Sequence, residues 1–126
     1  MTTPPIKSTA HDIEKQNKVA KVASVVDQFR VVINLGSLDG VKTSQRYVIY
    51  NIGEEIFDPD THESLGRLEL VKGRGAVIHV QDRMATLQTI DSKKVENSYL
   101  LSLSKVREEP QAFIDAKIGD FARLIT

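Results

Sequence analysis

The chain of 126 residues has no cysteine and no tryptophan, and aromatic residues make up only 6% of it. Without cysteine there is no disulfide framework, thiolate metal ligand, iron–sulfur cluster or cysteine nucleophile. Lys plus Arg number 17, as do Asp plus Glu, so the formal net charge is zero. A protein whose main work is to coat nucleic acid or an anionic membrane needs excess positive charge, so that class is disfavoured while a local basic patch is not. No apolar run approaches the roughly 20 residues that span a bilayer. The opening MTTPPIKSTAHDIEKQNK is polar, with no apolar stretch to serve as a signal peptide. The expectation is a cytoplasmic chain, or a periplasmic one if it is a processed fragment.

What is present suits one domain. Hydrophobic residues are 40% and charged residues 27% of the chain, enough to bury a core. Residues 1–17 carry Pro4, Pro5 and few apolar side chains, and read as a flexible lead with a weak helix over 10–17 at most. The domain is expected over 18–126. Val19, Val22, Val25 and Val26, then Phe29, Val31, Val32 and Ile33, are mostly β-branched and suit two strands joined at Asp27 and Gln28. Gly36 and Gly40 punctuate the loop that follows.

A strand over 46–52 comes next, with turns expected at 53–55 and 58–61. Residues 65–71 give the cleanest period-2 segment, with Leu68 and Leu70 facing one way and Arg67, Glu69 and Val71 the other. A turn at 72–75, KGRG, is expected before strands at 76–80 and 84–90. Residues 91–110 fit helix or strand equally. Lys117 to Asp120 reads as a turn into a last strand over 121–125, with helical spacing as the alternative. Closely spaced strands with Gly, Pro, Asn and Asp at the joints predict an all-β fold, a small antiparallel β-barrel of six or seven strands.

The order of these joints and strands carries a resemblance. VINLGSLDGVKTSQRYVIYN, DPDTHESLG, VKGRGAVIHVQDRMATLQTI and AKIGDFARLI follow one another over roughly 18–125. This pattern resembles the C-terminal domain of the flagellar assembly protein T family and related small bacterial β-barrel domains. The resemblance implies a barrel whose structural joints are Gly36, Gly40, Gly66, Gly119 and Asp120. Ser44 stands where that pattern usually has a glycine, His62 and Glu63 replace a glycine turn, and about 20 residues before Gly119 look inserted. A motif built from turns specifies backbone geometry far better than activity.

Candidate sites are few. Glu54, Glu55, Asp58, Asp60 and Glu63 cluster in ten residues, but they lack the ligand alternation and central glycine of a calcium loop. A solvated hairpin accounts for them, and no metal or cofactor is expected. His11, His62 and His79 sit in no catalytic motif, so no enzyme activity is expected. Lys72, Arg74 and Arg83 form a basic set that a nucleic-acid-binding barrel would use with aromatics for stacking. Phe113, Ile118 and Phe121 belong to a C-terminal apolar set that a partner would meet if the last strand lay at a free sheet edge. The favoured function is a non-enzymatic protein-interaction or assembly module, binding a protein partner or itself. The alternative is nucleic-acid binding through the basic face, and no membrane contact is expected.

Overall fold

A computed structural model of the chain describes residues 18–96 and 106–125. The expected N-terminal lead and the middle of the ambiguous 91–110 stretch lie outside those residues. The described chain is all-β and antiparallel. Eight strands follow in order: β1 (Val22–Asp27), β2 (Arg30–Ile33), β3 (Arg46–Phe57), β4 (Ser64–Val80), β5 (Ala85–Thr89), β6 (Ser92–Glu96), β7 (Val106–Pro110) and β8 (Phe121–Ile125). Six form one sheet in the order β1-β2-β5-β4-β3-β8, and β6 pairs with β7 in a separate ribbon. No helix among the described residues is long and apolar enough to cross a membrane.

The sheet is not closed into the expected barrel. Closure requires the first and last strands to form a ladder, and β1 and β8 stand at opposite ends of the sheet with no ladder between them. The sheet instead curls until its ends touch at one point. Lys21 and Phe121 form a single bridge. Around it, the Val22 N–H donates to the Asp120 carbonyl at 2.7 Å, Gly119 to Val22 at 2.8 Å and Ala122 to Ala20 at 2.9 Å. The concave face encloses Val22, Val31, Ile33, Val41, Tyr47, Ile49, Val77, Leu87 and Phe113. Those on strands alternate with less buried residues, as one buried sheet face requires.

Two of the expected turns are not turns. The chain runs straight through 53–55 and through 72–75, so β3 and β4 form one long hairpin. Glycine serves equally for a reversal and for a bulge, and here partners on the opposite strand favour the bulge. Ile52 faces Glu69 and Glu55 faces Arg67, which leaves extra residues on β3. Ile49 faces Gly73 and Tyr50 faces Val71, which leaves Lys72 extra on β4. The glycines of KGRG have a packing role. A Cβ on Gly73 would lie 2.8 Å from Cδ1 of Phe113, and one on Gly75 would lie 3.2 Å from its Cζ.

The joints fall into two kinds. Gly40, Gly66 and Gly119 have positive φ, at 86°, 103° and 96°. Gly36 is extended, but a Cβ there would collide with the main-chain oxygens of Gln81 and Asp82. Its need for glycine is close approach, not handedness. Ser44 and His62, which replace glycine in the expected pattern, also have positive φ, at 79° and 64°.

Asp120 is only 1% exposed. Its carboxylate accepts from Asn51 Nδ2 at 2.7 Å, from the Lys117 N–H at 2.8 Å and from Lys72 Nζ at 3.5 Å. Lys72 Nζ also donates to the Asp115 carbonyl at 2.8 Å. Asp120→Ala takes the acceptor from three part-buried hydrogen bonds and is expected to cost about 3–5 kcal/mol. Asp120→Asn keeps an acceptor and loses less, as denaturant midpoints will show. Ser44→Gly relieves a left-handed conformation that costs an L-residue about 1–2 kcal/mol. It should raise the same midpoint, because the main-chain bonds of residue 44 are unchanged.

Candidate interaction surface

β4 has 17 residues, a contour of about 55 Å at about 3.3 Å per residue. The domain covers only part of it. β5 pairs with β4 from Gly75 onward, and β8 pairs with β3 from Arg46 to Tyr50. Lys72 and Arg74 accept main-chain bonds from Ile114 and Ile90. Over 51–57 and 64–71, β3 and β4 pair only with each other among the described residues. They form a two-stranded arm projecting from the sheet, and every residue from 61 to 71 is exposed.

The arm's tip is self-contained. The Asp58 N–H donates to the Glu63 carbonyl, and the His62 N–H to the Asp58 carbonyl, both at 2.9 Å. Asp58 Oδ1 accepts from the N–H groups of Asp60 and Thr61 at 2.7 and 3.1 Å. Asp58, Asp60 and Glu63 of the acidic cluster thus belong to the hairpin turn, while Glu54 and Glu55 lie on β3. Among the described residues, no three His, Asp or Glu side chains gather as metal ligands would.

Directly opposed residues share a sheet face, so the ladder sorts the arm into two. On one face lie Asn51, Ile56, Leu68 and Leu70. Gly53 lies beside Leu70, since its Cβ would meet that side chain at 3.4 Å. This face continues outward from Tyr47 and Ile49 of the core. The other face mixes Ile52, Phe57 and Val71 with Glu55, Arg67 and Glu69. Ser64 Oγ donates to Glu55 at 2.6 Å, and Arg67 donates twice to the Gly53 carbonyl, closing the bulge. Leu65 is 64% exposed, and Phe57, Leu68, Leu70 and Val71 are exposed as well.

At the root of the arm the mixed face carries an aromatic pair. The rings of Tyr50 and Phe121 stack with centroids 5.6 Å apart. The Arg123 guanidinium lies 4.8 Å from the Tyr50 centroid, and Lys21 Nζ lies 5.4 Å from that of Phe121. Arg123 also grips Glu69 with two bonds of 2.9 and 3.1 Å. That hydrogen bonding holds the Glu69 carboxyl below the usual glutamate range and raises the Arg123 guanidinium. These rings are already covered by cations of the same chain.

The sites expected from sequence are dispersed. Phe113 is 6% exposed and fills the space beside Gly73 and Gly75, so it belongs to the core. Phe121 is half-buried, and Ile118 is 72% exposed in the preceding turn. β8 is an edge strand whose first residues, Phe121 and Ala122, are met by the chain at Ala20 and Lys21. Lys72 is held by Asp120 and Asp115. Arg74 is held by Asp91 through its N–H, Nε and Nη2 at 3.0, 2.9 and 2.7 Å. Arg83 is exposed between β4 and β5 with no ion pair among the described residues. His79 is exposed on β4.

Sequence reasoning missed the arm itself. The signal lay in 65–71, where apolar residues occupy both faces although the chain has too few core partners to cover both. A comparison with protein-family models finds none that matches, and a comparison with curated proteins likewise finds no match.

The Glu69–Arg123 pair makes a pH prediction. Because the folded carboxyl titrates below its unfolded value, its contribution to stability is complete above the ordinary glutamate range. It is lost as pH falls through the folded value. A carboxyl-carbon NMR titration should find Glu69 depressed in the wild type and returned toward the ordinary value in Arg123→Gln. An unshifted Glu69 in the wild type would contradict the pairing.

Proposed function

We infer that this chain is a non-enzymatic protein-interaction and assembly module, of the kind represented by the small bacterial β-barrel domains it resembles. The observation that carries this reading is the arm. An isolated two-stranded ribbon is marginal in water, yet this one displays Phe57, Leu65, Leu68, Leu70 and Val71 exposed. Exposed apolar side chains on both faces of a ribbon favour contact with another macromolecule. The mechanism is addition of a strand to the arm's unpaired backbone, together with burial of its apolar face.

The surface differs from the C-terminal one suggested by sequence. Of the three residues named there, Ile118 is exposed, Phe121 is half-buried and Phe113 contributes to the core. The nucleic-acid reading has less support. Two of its three cations already bond to acidic side chains, and the stacking aromatics are covered from within the chain.

The test compares the wild type with Leu65→Ser/Leu68→Ser/Leu70→Ser. These side chains are outside the core, so the variant should unfold at nearly the wild-type denaturant concentration. It should lose a protein partner that immobilised wild type retains from source lysate at high salt and binds again when purified. Equal retention by the two proteins, or recovery of nucleic acid alone at low salt, would defeat the assembly reading.

A further inference from the structure

We propose that the arm's partner is a second copy of this chain, joined by antiparallel pairing of two β4 edges about a two-fold axis at Leu68. This rests on the reading of the arm as an interaction surface. The β4 edge is open over 64–71, and it ends where Ile114 takes the Lys72 carbonyl. Residues 66–70 run Gly, Arg, Leu, Glu, Leu. Antiparallel pairing centred on Leu68 sets it opposite its own copy and Arg67 opposite Glu69 of the other copy, twice. Leu70 then falls opposite Gly66, whose missing side chain leaves room for it. Leu65 opposite Val71 extends the match.

Registers displaced by one or two residues are poorer on charge. A two-fold axis perpendicular to the sheet must pass through a residue, because opposed side chains share a face. Centring on Arg67 or Glu69 opposes like charges, which destabilises a cross-strand pair. Centring on Leu70 leaves both charges unmatched and runs the edge into Lys72. The open edge of β3 offers no alternative, since 51–57 contains Glu54 and Glu55 and no basic residue.

The existing bonds leave capacity for the new ones. Arg67 spends Nε and Nη2 on the Gly53 carbonyl, which leaves Nη1. Glu69 accepts one bond at each oxygen from Arg123 and retains lone pairs at both. The product is a four-stranded sheet with Leu68, Leu70 and Ile56 of both copies on one face. Two marginal ribbons become a sheet long enough and wide enough to persist.

Sedimentation of the full chain over a concentration series is the experiment. The wild type should dimerise reversibly. Arg67→Glu and Glu69→Arg should each weaken self-association at least tenfold, and mixing the two variants should restore dimer, since each supplies what the other lacks. The chain has no native cysteine, so Leu68→Cys gives a clean register test. Opposed residues in an antiparallel pair have Cα atoms about 4.5–5.5 Å apart, within disulfide reach. Leu68→Cys should cross-link on mild oxidation, and Leu70→Cys should not.

A chain still monomeric at about 1 mM, the weak end of measurable association, overturns the proposal. So does a dimer that survives both charge reversals and fails to cross-link at residue 68. Neither result decides whether the arm binds a different protein, which the capture experiment answers separately.

Discussion

A buried carboxylate is tolerable only where enough donors converge on it to replace the water it has lost. Asp120 meets that condition with Asn51 from β3, Lys72 from the β4 bulge and the N–H of Lys117 from its own turn. Its main-chain carbonyl takes the N–H of Val22, where β1 begins. One residue therefore ties the first strand, the central hairpin and the last turn together. The curl of the sheet depends on this tie, because the two edge strands share only one bridge beside it. With the ends held, Val22, Ile33, Ile49, Leu87 and Phe113 are kept on one concave face out of water.

The same tie marks where the domain stops. Asn51 and Lys72 are the last residues of β3 and β4 that the Asp120 carboxylate holds. Just inside them, Gly73 and Gly75 admit the Phe113 ring and complete the core. Just outside them, the hairpin continues with no third strand beside it among the described residues. The inner face of the hairpin remains apolar past that boundary, through Leu70, Leu68 and Ile56. A surface patterned like a core but lying outside one is the feature on which the proposed assembly role rests.

Much of the fold was legible from local sequence. The β-branched runs over 19–26 and 29–33, the Asp58 turn and the strand after Asp120 are each specified within a few residues, by propensity or by a side chain bonding its own backbone. The glycines at 53 and 73 were misread because a reversal and a bulge need the same local freedom, and only a partner strand decides between them. Ser44 and His62 adopt positive φ without glycine, which the likeness to glycine positions hinted at but composition did not. Sequence could not foresee that Lys72 and Arg74 of the basic set are ion-paired, or that Phe113 of the C-terminal apolar set packs into the core.

The amino-acid order by itself determined an all-β antiparallel chain without cysteine chemistry, its principal joints, and the alternation that separates Leu68 and Leu70 from Arg67 and Glu69. These follow from nearest-neighbour sterics and a two-residue period, which need no knowledge of distant contacts. Tertiary structure alone decided that the sheet curls without closing, that β3 and β4 run on as a single arm, and which apolar residues remain in water. Those outcomes depend on pairings between residues tens of positions apart, such as Asn51 with Asp120, whose energies are invisible until the chain has folded.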